Sequence, residues 1–159
     1  MDPLRDKKFL ERAIELSRRG MQDGSGGPFG CVIVMGETIM GEGCNQVTSS
    51  NDPTAHAEVV AIREACKKLG TYQLSDCEIF TSCEPCPMCL GAIYWARPKR
   101  VVYANTKEDA AAIDFDDDFI YNEINTGMSE RKIPFIHQPH PDALKVFEEW
   151  KNWEGKTKY

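Results

Sequence analysis

The sequence predicts an α/β fold in which a mixed sheet is covered by helices, and three observations carry that prediction. Short apolar runs alternate with longer segments whose apolar residues recur at three and four positions. The first two runs are separated only by Gly36-Glu37, a hairpin connection, whereas later runs are separated by stretches long enough to cross over as helices. Glycine and proline fall at the ends of the periodic segments, as at Gly70 and Pro98. Strands alternating with helices after one hairpin imply packed layers rather than a bundle or a barrel.

The elements follow in order. From Asp6, the residues Phe9, Leu10, Ala13, Ile14 and Leu16 mark an amphipathic helix with Lys and Arg on its outer face, ended by Gly20 or the glycines after it. The loop from Asp23 to Gly30 carries four glycines; it follows a helix and lacks the G-x-G-x-x-G spacing, so it is not a dinucleotide fingerprint. Cys31 to Met35 and Thr38 to Gly43 form the hairpin, and the first of these strands is apolar on both faces, which places it inside a covered sheet. Asn45 to Thr54 is a polar loop. Asp52-Pro53 then reads as a helix start, with Asp as N-cap and Pro at the first helical position, for a helix that runs to Leu69. Cys77 to Thr81 is a third strand, a helix follows to about Ala96, and Arg100 to Ala104 is a fourth strand. Beyond Asn105 the pattern weakens to short helices near Glu108 to Ile113 and Phe119 to Ile124. A closing amphipathic helix spans Asp142 to Trp153, with Leu144, Phe147 and Trp150 three apart.

At 159 residues the chain is the size of one ordinary domain, so residues 1–159 are expected to fold as one. Its 25 acidic against 19 basic residues, net charge −6, argue against a surface built to neutralise many phosphates, and nucleic acid is disfavoured as a partner. No apolar run approaches the roughly 20 residues of a bilayer span, and the amino end lacks a signal peptide's apolar segment. A cytoplasmic, membrane-free protein is expected. Of seven cysteines, Cys83, Cys86 and Cys89 crowd together, which suits metal chemistry better than a secreted disulfide framework. Cys31, Cys44, Cys66 and Cys77 are scattered in apolar patterns, as small buried hydrophobes are.

Two fragments carry chemistry. His56-x-Glu58 opens one helix, and Pro85-Cys86-x-x-Cys89 opens another after a strand. His56, Cys86 and Cys89 supply three ligands, which is what catalytic zinc requires if a fourth position is to hold water. Cys86 and Cys89 are i and i+3 at a helix start, where the helix dipole favours thiolates. Glu58, two residues from the histidine, stands where a proton shuttle is needed. Each fragment alone is weak: H-x-E is common on solvated helix faces, and C-x-x-C also serves structural zinc and redox pairs. Cys83 with Cys86, Cys89 and His56 would make a closed structural site, and a zinc-stabilised module without turnover remains the reading from another class.

H-x-E followed by P-C-x-x-C is the signature of zinc-dependent base deaminases. The chain resembles the cytidine deaminase superfamily in Thr54 to Glu58 and Pro85 to Cys89, and within it most closely the small guanine deaminases. That narrower likeness lies in GGPFG at Gly26 to Gly30, NDPTAHAEV at Asn51 to Val59, CLGAIYWARPK at Cys89 to Lys99 and FDDDFIY at Phe115 to Tyr121.

The resemblance implies a three-layer α/β/α domain holding one Zn2+ per subunit and hydrolysing guanine to xanthine and ammonia, with Glu58 catalytic. It implies a homodimer that exchanges carboxy-terminal segments, here 142–159. Asn45 would hydrogen-bond the purine, Phe29 and Trp95 would line or stack on it, Asp117 would read its polar edge, and Tyr159 would reach in from the other subunit. Read from the residues alone, Phe29 and Trp95 are equally core aromatics, Asn45 a turn residue, Asp114 to Asp118 a solvated acidic turn and the tail a frayed terminus. Within enzymes the alternatives are guanosine or another purine nucleoside, a triazine analogue, cytosine, or adenosine in transfer RNA. Arg97, Lys99 and Arg100 beside the second motif are the feature that favours the last.

Overall fold

The computed structural model describes residues 2–115 and 117–158. The chain divides into two compact units, one reaching to Tyr121 and the other beginning at Asn122.

The first unit opens with α1, Pro3–Gln22, whose N-cap Asp2 accepts from the backbone N–H of Leu4 and Arg5. The helix starts earlier than its apolar period suggests because Asp2-Pro3 is the cap-and-proline start. It does not end at Gly20. That residue lies inside the helix, buried, and a Cβ there would come within 2.7 Å of the Cys44 Cβ, so its glycine serves close packing instead of termination.

β1, Gly30–Met35, and β2, Thr38–Cys44, form the expected hairpin around Gly36, which takes a left-handed φ of 62°. The short helix α2, Val47–Ser50, interrupts the polar loop, and α3, Ala57–Leu69, follows with Gly70 at its end. The Asp52-Pro53 start is a correction. Asp52 spends its carboxylate on the Thr54 N–H at 2.8 Å and the Thr54 hydroxyl at 2.7 Å, closing a local turn, and the helix begins only after His56, its N-cap.

β3, Glu78–Cys83, leads to α4, Pro87–Ala96, and then to β4, Arg100–Asn105. The sheet order is β2-β1-β3-β4; β1 is antiparallel to both neighbours and β3 is parallel to β4. Alternation along the strands builds three layers. Val32, Val34 and Phe80 face α1 through Phe9, Ala13 and Leu16, while Cys31, Ile33 and Ile79 face α3 and α4 through Ala57, Ala61, Ala65, Ile93 and Ala96. β1 is buried at its first five positions, as a strand covered on both faces must be. α5, Lys107–Ala111, is opened by a reciprocal cap in which the Thr106 hydroxyl accepts from Asp109 N–H and the Asp109 carboxylate accepts from Thr106 N–H. α6, Asp118–Asn125, spans the boundary of the two units.

Within the second unit, Arg131 donates to the Thr126 carbonyl at 3.1 Å and Lys132 N–H to Glu123 at 2.9 Å. α7, Pro141–Asn152, carries the three-residue apolar spacing, and Trp150 meets Trp153 edge-on at 5.5 Å. No helix among the described residues is long and apolar enough to cross a membrane.

Candidate active site

Two helix amino ends converge on one point because β3 delivers α4 there and the loop after β2 delivers α3. His56 is the N-cap of α3 and Cys86 the N-cap of α4, and neither side chain caps its own helix. Both are thereby released to point at a shared centre, and the positive helix ends favour anionic ligands there. The ligand atoms of His56, Cys86 and Cys89 all lie within 4.8 Å of one another, with Cys86 Sγ 3.5 Å from His56 Nδ1. One imidazole and two thiols at this separation fit zinc, and three protein ligands leave a fourth position for water or substrate.

Without a metal the electrostatics favour one thiolate of the pair, Cys86, while Cys89 is raised by its hydrogen bond to Cys86 and by burial. Hydrogen bonds from Cys89 and from His56 hold Cys86 well below the usual thiol range, against the opposing effect of burial. His56 is raised in turn, first by its hydrogen bond to Cys86. Cys83 takes no part in the cluster; its thiol is directed at the Thr106 carbonyl, 3.5 Å away, and burial pushes it up to about 11.

Glu58 is 6% exposed, at the second position of α3. One carboxylate oxygen accepts from the Thr81 hydroxyl at 3.0 Å and the other lies 3.4 Å from Cys89 Sγ. Burial pushes its carboxyl above the ordinary value, and the Thr81 and Cys89 hydrogen bonds work against that. A carboxyl so placed holds a proton more readily than a solvated one, as a group that takes and returns protons requires.

A cavity of about 410 Å³ within the first unit opens onto this centre and is lined by His56, Glu58 and Cys86 together with Asn45, Phe29 and Asp117. Asn45, Phe29 and Asp117 are therefore brought to one chamber. Trp95 is not among its lining residues; it lies on the outer side of α4, 63% exposed. Tyr159 lies outside the described residues, as does Asp116. Sequence reasoning missed two side chains. Phe115 lines the chamber and meets Phe29 edge-on at 4.9 Å, and no spacing marks it. Thr81 was signalled by being polar within the buried strand run EIFTSC. The basic trio is dispersed: Arg100 is committed to Asp6 and Glu78, Lys99 pairs with Asp76 at 3.4 Å, and Arg97 is the left-handed C-cap of α4.

A sheet covered by helices on both sides, with a His/Cys/Cys cluster and a buried Glu at two helix starts, defines a zinc-dependent deaminase class. The chain belongs to the cytidine and deoxycytidylate deaminase zinc-binding family, whose profile matches residues 3–105. Among its relatives, guanine deaminase of Bacillus subtilis is 58% identical over 151 residues, 95% of this chain and 97% of that protein. The X-ray structure of guanine deaminase from Bacillus subtilis is similar with a TM-score of 0.95 and 56% identity, covering 100% of this chain and 99% of that one. A more distant branch includes the tRNA-specific adenosine deaminase of Haemophilus influenzae, 36% identical over 153 residues, 89% of this chain and 88% of that protein.

Proposed function

We propose that the chain is a zinc-dependent guanine deaminase, hydrolysing guanine to xanthine and ammonia. The observation that carries the reading is Glu58, buried between Thr81 and Cys89 and lining the same chamber as His56, Cys86 and Asn45. His56, Cys86 and Cys89 would hold zinc, which when bound would lower the pKa of a water to about 7 and so activate it at neutral pH. Glu58 would accept a proton from that water as its oxygen bonds to the amino-bearing carbon, deliver it to the adjacent ring nitrogen, and then carry the hydroxyl proton of the adduct to the amino group as the C–N bond breaks and ammonia leaves. Asn45 and Asp117 hold the polar edge of the base, and Phe29 packs against its ring. Burial of Glu58 shields the shuttled proton from bulk water.

In this reading residues 1–159 act as one deaminase domain in a cytoplasmic homodimer. The support for an assembly is apolar surface. On α4, Leu90, Tyr94 and Trp95 are exposed, and on α7 Leu144, Val146, Phe147 and Trp150 are exposed, more than a monomer of this size needs to show. The 142–159 segment is the part exchanged, with Tyr159 completing the partner's chamber. Mass measurement in solution at micromolar concentration gives twice the chain mass on this account.

The experiment that tests the activity follows ammonia release by the zinc-loaded protein from guanine, guanosine, adenine, cytosine and cytidine. Xanthine formed from guanine alone is the expected result. Turnover of guanosine would mean a chamber open enough for ribose. No turnover of guanine, with a salt-sensitive gel shift of transfer RNA, would move the assignment to the polynucleotide branch.

A further inference from the structure

Asn45 is gripped in a way that decides which of its two amide atoms meets a ligand. Its Oδ1 accepts from two backbone donors, Gly27 N–H at 3.3 Å and Val47 N–H at 3.2 Å. Two donors directed at one atom require that atom to be the oxygen, because an amide NH2 has no lone pair to offer them. The Asn45 Nδ2 has no hydrogen-bond partner among the described residues, and no fully buried side-chain nitrogen or oxygen in them is left unsatisfied. Asn45 lines the chamber and is 5% exposed, and with no partner for it among the described residues its NH2 is available to that space.

The grip depends on two glycines. A Cβ at Gly26 would stand 2.2 Å from Asn45 Oδ1 and 2.7 Å from the Asn45 carbonyl oxygen, and a backbone atom cannot swing aside. Gly26 does not have a left-handed φ, so it is glycine for room and not for conformation. At Gly27 a Cβ would meet the tip of the Phe115 ring at 2.7 Å and that of Phe29 at 3.1 Å. The missing side chain at Gly26 lets the backbone lie against the amide, and the one missing at Gly27 leaves room for the two rings beside the N–H that Asn45 accepts.

We propose that Gly26 and Gly27 are positioning residues that lock the Asn45 amide with its NH2 toward the chamber, so that the site selects bases presenting hydrogen-bond acceptors on that edge. The proposal rests on the reading of the chamber as a purine-base site and adds to it the device that sets selectivity. On guanine the two amide hydrogens meet the oxygen at C6 and the ring nitrogen N7. On 2,6-diaminopurine an NH2 replaces that oxygen, and donor then faces donor in a desolvated site, where an unpaired polar group is heavily penalised. A free amide would rotate and accept either base; a locked one cannot.

The test measures dissociation constants for guanine and 2,6-diaminopurine by titration calorimetry in the zinc-loaded Glu58→Gln protein, where turnover does not intrude. The parent is expected to prefer guanine by tenfold or more. Adding Gly26→Ala should bring the ratio close to one by weakening guanine, with zinc content unchanged. Adding Asn45→Asp, which replaces the NH2 by an oxygen, should reverse the preference. A Gly26→Ala protein that keeps the parent ratio, or weakens both bases equally as a merely structural change would, overturns the proposal. Where Gly26→Ala does not load zinc, Asn45→Asp decides, and an unreversed preference overturns it. Failure of the parent to bind either base would instead remove the functional reading, and this proposal with it.

Discussion

Glu58 shows how a single residue is tuned by contacts of opposite effect. Burial raises its carboxyl, while the Thr81 hydroxyl at 3.0 Å stabilises the charged form and fixes its orientation. Replacing Glu58 by Gln keeps the size and removes the proton, so kcat for guanine should fall by roughly 10² to 10⁴ with zinc content unchanged, read by metal analysis beside a steady-state assay. Thr81→Val keeps the shape of the strand and removes only the hydroxyl. A loss of about tenfold in kcat/KM is expected, the size of one hydrogen bond to a charged group; full activity would show that burial and the seating of α3 alone position the carboxylate. Glu58 was legible from its distance in sequence to His56. Thr81 was not assigned, because its role depends on which strand face meets α3.

At the scale of elements, the site is as exact as the seating of α3 on the hairpin. α3 presents Ala57, Ala61 and Ala65, all fully buried, to β2. The strand answers with glycine: a Cβ at Gly43 would lie 2.2 Å from the Ala57 carbonyl, and one at Gly41 would lie 2.3 Å from that of Ala61. Small residues on both sides let the helix backbone press against the sheet, and its first turn carries Glu58 next to the N-cap His56. Gly43→Ala must therefore lift the amino end of α3. It should cost about 1–3 kcal/mol of stability and lower zinc affinity as well, measured by thermal melting and by competition with a chromophoric chelator. A variant equally unstable but with unaltered zinc affinity would separate the seating of the helix from the placing of its ligand.

Across the whole first unit, the ends of α1, β3 and β4 and the hairpin turn are tied by charges. Arg100 donates to both Asp6 oxygens at 2.6 and 2.7 Å and to Glu78 at 2.8 Å, while Arg5 reaches Glu78 at 2.7 Å, Glu37 at 2.8 Å and the Gly36 carbonyl. Arg100 holds the Asp6 carboxyl below its usual value. Burial works to raise Glu78, but the hydrogen bonds and charges of Arg5 and Arg100 outweigh it and leave it lowered too. Carboxyls depressed by folding contribute stability that is present above their unfolded values, about 3.9 and 4.3, and is lost as pH falls through the folded ones. The melting temperature should hold from pH 7 to about 5 and decline below about 4. Arg100→Ala should cost about 2 kcal/mol at pH 7, and its deficit against the wild type should shrink in acid. A deficit independent of pH would show the network to be packing alone.

Most of the architecture was legible in sequence because it follows from local rules. Period-two and period-3.6 apolar patterns, the Gly36 turn, Gly70 and Pro98 are satisfied by neighbours in the chain, and the zinc ligands announce themselves by soft donors at fixed spacing beside helix starts. Asp52 makes a turn with Thr54 instead of a cap; of the glycines offered as the end of α1, the later ones fit, with Gly24 left-handed just past Gln22, while Gly20 is buried against Cys44. Tertiary structure alone decided which atoms share the chamber. Phe115 against Phe29, Thr81 beneath Glu58 and the Gly26-Gly27 backbone on the Asn45 amide are contacts across many residues of chain, set by how the layers close rather than by any period. The sequence by itself determined that a zinc site of the deaminase kind is built here. The three-dimensional packing determined how the carboxylate is held and which atom of the Asn45 amide accepts from the Gly27 and Val47 N–H groups, because hydrogen-bond direction is fixed only when both partners are in place.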